Sequence, residues 1–455
     1  MAISVYSPLT KEQCQQARMA RDSRFDGLFY VAVKTTGIFC RPVCPANLPK
    51  EENVEYYSDR TQALDAGYRP CLRCRPESHP GSWAWKGVET TFQRALHLID
   101  SGALQQHSLA ELARRLGVSD RYVRQLFSRY LGIAPKQYAQ YQQLMFAKQL
   151  LHMSNLSVTD IGFAAGFNST RRFNDAFKKV IQLTPSQVRR EVTLPAGEQA
   201  LIIPFQGAMD WSHMLNFYRL RAIEGVEQVD ENSYSRFANL AGSRVWFRVQ
   251  QTAEQQMTVW FRLDDVGQLH LLVKKIRQML DLNCNTDNIE RHLQSLAPGL
   301  VKQTGIRIPG VWNAWEAGVR AILGQQVSVK AAIGQLNLLV STLMPEPSER
   351  CFPTPLQLAQ ANLDFLRMPK SRKETLHHFA CYVQDNPDAD PETWLALKGI
   401  GPWTVSYAQL RGESRPDCFL DKDLVVKKAL LAYPQLNAKT ASPWGSYATF
   451  HLWNQ

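Results

Sequence analysis

Four cysteines constrain the start of this chain more than any other feature. Cys40 and Cys44 stand in FCRPVC, Cys71 and Cys74 in CLRC, in the pattern C-x3-C-x26-C-x2-C. Two short-spaced pairs joined by a loop suit tetrahedral zinc, which takes four thiolates at ~2.3 Å. Closed four-thiolate sites mostly serve to fold a small domain, and that reading stands beside any chemical one. The other five cysteines (Cys14, Cys284, Cys351, Cys381 and Cys418) are isolated, and nine is an odd number. The set is not a secreted disulfide framework, and a reducing compartment would keep the quartet available for metal.

The 455 residues are enough for about three to four domains. At 45% hydrophobic and 20% charged residues, intrinsic disorder is excluded. No apolar run reaches the ~18 residues of a membrane span, and the N-terminus lacks the basic and apolar regions of a secretory signal. A cytoplasmic protein without a membrane partner is expected. The net charge of +11 is unevenly spread. Residues 1–191 carry +10, of which residues 81–191 carry +8, while residues 192–455 carry only +1. So local an excess marks a candidate phosphate-binding surface, against the plainer alternative of a solvated helical face.

The residues flanking the cysteines sharpen the first reading. FDGLFYVAVKTTGIFCRPVCPA and NVEYYSDRTQALDAGYRPCLRCRP closely resemble the N-terminal domain of the Ada family of DNA-repair methyl acceptors, over roughly residues 5–80. The resemblance implies one zinc held by Cys40, Cys44, Cys71 and Cys74. It also implies that Cys40 irreversibly takes a methyl group from a methylphosphotriester in DNA. Zinc keeps sulfur in its nucleophilic thiolate form. Four thiolates around a divalent cation carry a formal charge of −2, which methylation lowers to −1, so repulsion of a DNA backbone should fall. Arg41, Arg69, Arg73 and Arg75 surround the cysteines as candidate backbone contacts or as ordinary surface arginines.

Residues 108–131, SLAELARRLGVSDRYVRQLFSRYL, read as a helix-turn-helix. Ser108 and Glu111 form a capping box, and Leu109, Leu112, Ala113 and Leu116 make one apolar face. Gly117 ends the first helix, and Ser119 caps a second with Val123, Leu126 and Phe127 inward. Arg121, Tyr122, Arg124 and Gln125 then fall at its N-terminal or outer face, as a recognition helix requires. The arrangement recurs in residues 157–182, where Thr170, Arg171, Arg172 and Asn174 open the second helix. Residues 135–152 read as a spacer helix of roughly 27 Å, near one DNA turn of ~34 Å. Residues 88–191 resemble the AraC-family DNA-binding domain, which implies major-groove recognition of promoter DNA. RNA polymerase is the expected partner when transcription is activated.

A linker is expected near residues 192–200. Beyond it, LIIPF, SRVWFRVQQ and QMTVWFRL read as strands, and DWSHMLNFYRLRAI and QLHLLVKKIRQML as helices. That mixture suggests a small α+β domain, followed by a mostly helical stretch over 300–455. Leu397–Gly401, LKGIG, reads as a helix–hairpin–helix core. Gly399 and Gly401 permit a tight turn that offers backbone N–H groups to a phosphate.

CFLDKDLVVKK follows about 20 residues later. Together these segments resemble the helix–hairpin–helix DNA glycosylases, and most of all the AlkA-type 3-methyladenine glycosylase II. The likeness runs through DWSHMLNFYRLRA, RIPGVWNAWEAGVRAILGQQVSV, CFPTP and SYATFHLW, over residues 200–455. It implies that Asp423 is the catalytic aspartate, with Asp421 as the alternative. Trp403, Tyr407, Trp453 and Phe217 would form an aromatic base pocket, with core packing as the alternative for each. Two departures stand out. Trp403 occupies the place of the lysine nucleophile of lyase-active members, so a monofunctional enzyme is expected. Gln326 occupies the place of the leucine that wedges into the duplex. No cysteine quartet lies near the C-terminus, so neither an iron–sulfur cluster nor an organic cofactor is expected. No P-C-H-R motif of an alkylguanine acceptor domain occurs.

The expected architecture is multidomain, mainly α with α+β parts. Residues 1–80 form a small zinc-bound α+β domain and 85–191 a tandem helix-turn-helix α domain. Residues 196–290 form an α+β domain and 296–455 an all-α helix–hairpin–helix glycosylase domain. The expected function joins alkylation sensing, transcriptional regulation and excision of alkylated purines from double-stranded DNA. One alternative is a regulator with an inactive glycosylase-like clamp. Another is a repair enzyme whose first two domains only deliver it to DNA.

Overall fold

Tyr30–Val33 has the sequence YVAV, a short β-branched and aromatic run buried on both faces. It becomes β1, the inner strand of a four-stranded sheet with β2 (Ile38–Cys40), β3 (Val54–Tyr57) and β4 (Arg69–Pro70), in the order β3-β1-β2-β4. Alternate residues feed opposite faces. Val31 joins Phe25, Phe29 and Val54 in one cluster, while Tyr30 and Ala32 join Phe39 and Ala63 in the other. Neither cluster is large, and a third group consists of cysteines. Domains this small need a staple beyond their apolar core.

The computed structural model describes residues 9–455, apart from 45, 59, 72, 73, 75, 77–88, 101, 191, 193, 195–197, 347 and 348. Arg73 and Arg75, and residues 193 and 195–197 of the expected linker, lie outside the described residues. The chain forms two units, Met1–Thr193 and Leu194–Gln455. Among the described residues no helix is long and apolar enough to cross a membrane.

The helix-turn-helix units follow their sequence signals closely. Ser108 caps the helix Leu109–Arg115 with a complete capping box to Glu111. Gly117 takes φ +70°, and Ser119 caps Asp120–Leu131. Val123, Leu126 and Phe127 are buried. The spacer is the 19-residue helix Pro135–Met153, ~28 Å long. Ser157 caps Val158–Ala164, and Ser169 caps Thr170–Ile181. Gly162 is needed for the crossing of these last two helices. A Cβ there would lie 3.1 Å from the Phe173 ring.

The second unit holds a five-stranded antiparallel sheet in the order β5-β9-β8-β7-β6. Its strands are β5 (Ala200–Pro204), β6 (Glu227–Val229), β7 (Ser233–Leu240), β8 (Ser243–Ala253) and β9 (Gln256–Leu263). The three strand-like runs in the sequence correspond to β5, β8 and β9, whereas β6 and β7 carried no such signal. Both present charge to the interior. Glu227 of β6 and Arg236 of β7 join Glu316 and Arg320 of the helix Ala314–Gly324 in a buried ion network, with Arg320 Nη2 2.6 Å from Glu227 and Arg236 Nη2 2.9 Å from Glu316. Burial opposes ionisation of Glu227, yet Arg320 and Arg236 hold its carboxyl down to about 2. This network ties the sheet to the helical part, which explains why the two expected C-terminal domains share one unit.

Candidate functional site

β2 ends on Cys40, and the turn after it closes through a hydrogen bond from the Cys44 N–H to the Arg41 carbonyl, 3.1 Å. β4 runs parallel to β2 and delivers Cys71, whose N–H donates to the Phe39 carbonyl at 3.0 Å. The four sulfurs of Cys40, Cys44, Cys71 and Cys74 lie within 4.8 Å of one another, with Cys44 and Cys71 at 3.9 Å. A tetrahedron with ~2.3 Å bonds needs sulfurs ~3.8 Å apart, so the donor set fits zinc. Charge supports the fit. A hydrogen bond to Cys74, then burial, pushes the Cys40 thiol up, and burial first pushes Cys44 up to about 11. Cys74 falls to about 6, chiefly through the Cys40 hydrogen bond. Without a cation the cluster favours a thiolate at Cys74 and opposes one at Cys40 and Cys44. Cys40 is half-buried, while the other three sulfurs are buried.

Arg41 is not a free backbone contact. Its guanidinium pairs with Asp26, with Nε 2.9 Å from Oδ1, and its N–H donates to Cys74 Sγ at 3.3 Å. Arg69 is exposed.

Of the recognition-helix candidates, Arg121, Arg124, Gln125, Arg171, Arg172 and Asn174 are exposed. Thr170 is half-buried in the first turn of its helix. Tyr122 packs in part against the helical core, so its ring serves packing as well as surface.

In the second unit a cavity of about 1050 Å³ gathers residues from five segments. Phe217 comes from the helix Trp211–Arg219, and Trp403 and Tyr407 from Pro402–Glu413. Asp423 caps Leu424–Ala429, Trp453 ends the helix Gly445–Trp453, and Gln326 stands in a loop. Gly399 and Gly401 line it too. Trp403 and Tyr407, one helical turn apart, stack with centroids 5.2 Å apart and planes at 24°. Asp423 Oδ1 accepts three hydrogen bonds: from Val425 N at 2.9 Å, Val426 N at 3.3 Å and Trp453 Nε1 at 3.1 Å. One carboxylate oxygen is thereby fixed, and the carboxylate stands at a helix N-terminus where negative charge is favoured. Asp421 is exposed and does not line the cavity.

Gly399 has φ +88°, and a Cβ there would come 2.2 Å from Thr375 Oγ1, so the hairpin requires glycine. The arm before it is a 3-10 helix, Pro391–Ala396, rather than an α-helix. No side chain caps the helix that begins at Pro402, which leaves its first N–H groups for a ligand oxygen.

Sequence reasoning missed two arginines packed around Phe217, of which Arg221 lines the cavity. The Arg221 guanidinium lies 3.7 Å from the Phe217 ring centre and that of Arg411 lies 4.7 Å from it. Phe217 is thus packed by two arginines, and its ring also lies near-parallel to that of Trp453, with centroids 6.5 Å apart. Burial, then Arg411, pushes Arg221 down to about 10. Arg221 stands four residues after Phe217 in the helix-like run DWSHMLNFYRLRAI, a spacing that could have found it, although the helix itself ends at Arg219. Gln325 also escaped notice. Its Nε2 donates to the Gly399 carbonyl at 3.1 Å and the Thr404 hydroxyl at 3.3 Å, fastening the Gln326 loop to the hairpin.

Three family descriptions match the chain: the metal binding domain of Ada over residues 13–77, a helix-turn-helix domain over 112–191, and the AlkA N-terminal domain over 200–313. A Mycobacterium tuberculosis protein named "Probable bifunctional transcriptional activator/DNA repair enzyme AlkA" is 33% identical, covering 97% of this chain and 96% of its own. "DNA-3-methyladenine glycosylase 2" of Escherichia coli is 32% identical over 55% of this chain and 95% of its own. "Bifunctional transcriptional activator/DNA repair enzyme AdaA" of Bacillus subtilis is 32% identical over 41% of this chain and 87% of its own. With such similarity along nearly its whole length, the chain belongs to the family of bifunctional transcriptional activators and DNA repair enzymes of the AlkA type.

Proposed function

We propose that the second unit is a monofunctional DNA glycosylase that releases alkylated purines such as 3-methyladenine, and that the first unit senses alkylated backbone and regulates transcription. The observation that carries the enzyme reading is the placing of Asp423 beside Trp403, Tyr407 and Trp453 in one cavity. An alkylated purine flipped from the duplex is cationic, and aromatic faces stabilise such a cation. Its glycosidic bond breaks as positive charge grows on the sugar. The Asp423 carboxylate, oriented by its three donors, stabilises that charge while water adds at the anomeric carbon and passes its proton to the carboxylate, which releases it to solvent. The purine departs neutral, so the cavity needs no strong general acid. With Trp403 at that position, the hairpin helix offers no lysine nucleophile for a Schiff base.

In the first unit Cys40, Cys44, Cys71 and Cys74 would hold one zinc, which lowers thiol pKa values so that sulfur reacts as thiolate. Cys40 is the least buried of the four. Its sulfur attacks the methyl carbon of a phosphotriester. The S–C bond forms, the C–O bond breaks, and the phosphodiester leaves as an anion. The exposed side chains of the two recognition helices, Arg121, Arg124, Gln125, Arg171, Arg172 and Asn174, would then read promoter DNA, with RNA polymerase as partner.

Product analysis on alkylated duplex DNA tests the enzyme. Free 3-methyladenine is expected from the wild type and about 10³-fold less from Asp423→Asn. No released base from the wild type refutes the glycosylase reading. Mass spectrometry after exposure to methylated DNA should find one added methyl on Cys40, and an unmodified Cys40 refutes the sensing claim.

A further inference from the structure

Three cationic side chains line the cavity of the second unit, and two of them are already committed. Arg320 is buried and paired with Glu227 at 2.6 Å and with Glu316 at 2.7 Å. The Arg221 guanidinium lies against the Phe217 ring, and its Nη1 donates to the Phe217 carbonyl at 3.3 Å. Lys422 differs. It is exposed, and none of the described residues forms an ion pair with it. Its backbone belongs to the turn that presents Asp423, closed by a hydrogen bond from the Asp423 N–H to the Leu420 carbonyl at 3.0 Å. The acid on its other side, Asp421, does not line the cavity. One short turn therefore delivers a cation and a carboxylate to the cavity from consecutive residues.

Two charges have to be reconciled when DNA enters. The Asp423 carboxylate must approach a sugar that carries a phosphate on each side, and like charges repel strongly where water is excluded. The groups that hold this carboxylate, two backbone N–H groups and an indole, carry no net charge. Residues 192–455 carry only +1, so no broad positive field offsets the repulsion. The Lys422 ammonium has the complementary difficulty. Left free beside a cationic purine, it would oppose both the base and the positive charge growing on the sugar. A phosphate next to the extruded sugar resolves both conflicts, because it pairs with the ammonium and loses its repulsion toward the carboxylate. A lysine suits this task as a mobile point charge on a long stem.

We propose that Lys422 binds a phosphate flanking the extruded nucleotide and so sets the sugar against Asp423. This assignment rests on the glycosylase reading of the same cavity. It makes Lys422 a substrate-binding residue that takes no part in breaking the glycosidic bond.

The test measures base release by the full chain from an alkylated duplex in which the phosphate on the 5′ or the 3′ side of the lesion is replaced by an uncharged methylphosphonate. On the all-phosphate duplex Lys422→Ala should raise KM about tenfold while kcat stays within about twofold of wild type. One of the two methylphosphonates should raise the wild-type KM to the same extent, and on that duplex Lys422→Ala should lose nothing further. Lys422→Arg keeps the charge and should keep the wild-type KM. Lys428→Ala is the control. Lys428 is exposed but does not line the cavity, and its removal should show no coupling to either methylphosphonate. Additive losses at both positions overturn the proposal, and so do wild-type kinetics for Lys422→Ala or a fall in kcat with KM unchanged. The preference of the full chain for a duplex with a tetrahydrofuran abasic analogue over the undamaged duplex reads the same contact without chemistry. If wild type released no base yet showed this preference, and Lys422→Ala and one methylphosphonate lowered it equally and without adding, the glycosylase reading would fail and the Lys422 assignment would stand.

Discussion

The two units hold their reacting groups in opposite ways. In the first, the proposed nucleophile would itself be a zinc ligand, and its reaction would alter the group proposed to hold the domain together. In the second, the Asp423 carboxylate is held by two backbone N–H groups and an indole, none of which is changed when a base leaves. The contrast fits a switch that acts once against a site that turns over. The charges divide likewise: residues 1–191 carry +10 and residues 192–455 only +1. The first unit presents arginines on helix surfaces, while the second offers the uncapped N–H groups of its hairpin helix.

The strongest way to break this comparison is to remove the metal. Structural zinc contributes on the order of 10 kcal/mol to small domains. Chelation, or Cys71→Ser, should therefore unfold the zinc domain, while the second unit keeps its thermal transition and base release. Resistance to proteolysis of the zinc domain after chelation would show that its small apolar clusters suffice alone.

Next in size is Asp423→Asn, expected to lower base release by about 10³-fold with DNA affinity unchanged. Trp453→Phe removes only one of three donors to Oδ1 and should cost about tenfold. If both variants fell equally, the carboxylate would depend on the indole for more than orientation.

Salt separates the two modes of grip. Each phosphate neutralised by a side chain steepens the dependence of log affinity on log salt by ~0.9. Replacing Arg171 and Arg172 together by Ala should flatten the slope of promoter binding by about 2. The separate second unit should show a shallower slope from the start. Equal slopes would remove the distinction between side-chain and backbone grip.

Much of this was legible in the sequence where a local rule decides the outcome. Ser108, Ser119 and Ser157 cap helices as their spacing demands, and the cysteine spacing brings four sulfurs together. Of the cavity, the aromatic residues and Asp423 rested on family resemblance. What stayed hidden was set by distant partners. β7 reads SYSRFANL, and Arg236 is inside because Glu316 of a distant helix and Glu227 of β6 neutralise it. The β7–β8 turn places Ala241 at φ +49° before Gly242 at +87°, where asparagine or aspartate would have signalled a hairpin. Arg221 and Arg411 reach Phe217 from segments with no sequence relation to each other.

The smallest effect separates the units by pH. Glu290, on the helix Thr286–Leu296, accepts hydrogen bonds through Oε1 from Gly305 N at 2.7 Å and Ile306 N at 3.2 Å. Burial nevertheless raises its carboxyl to about 7. His451 lies 3.7 Å away, but burial lowers it to about 4, so at pH 5–6 both are neutral and no ion pair forms. A carboxyl with a raised folded pKa stabilises the fold fully below its unfolded value of ~4.3, and that contribution fades as pH rises through the folded value. Glu227 has the opposite sign. Its contribution is present above ~4.3 and disappears as pH falls toward 2, so the two windows do not overlap. His451 acts in the opposite sense: it takes up a proton in the unfolded chain below ~6.5 but not in the fold, so its contribution grows as pH rises from about 4 to ~6.5 and offsets that of Glu290. Glu290→Gln removes only the falling contribution, so between pH 5 and 7 its melting temperature should rise relative to wild type by a few degrees, at about 2–4 °C per kcal/mol. Parallel melting curves of the two proteins over this range would mean that Glu290 is already ionised in the fold.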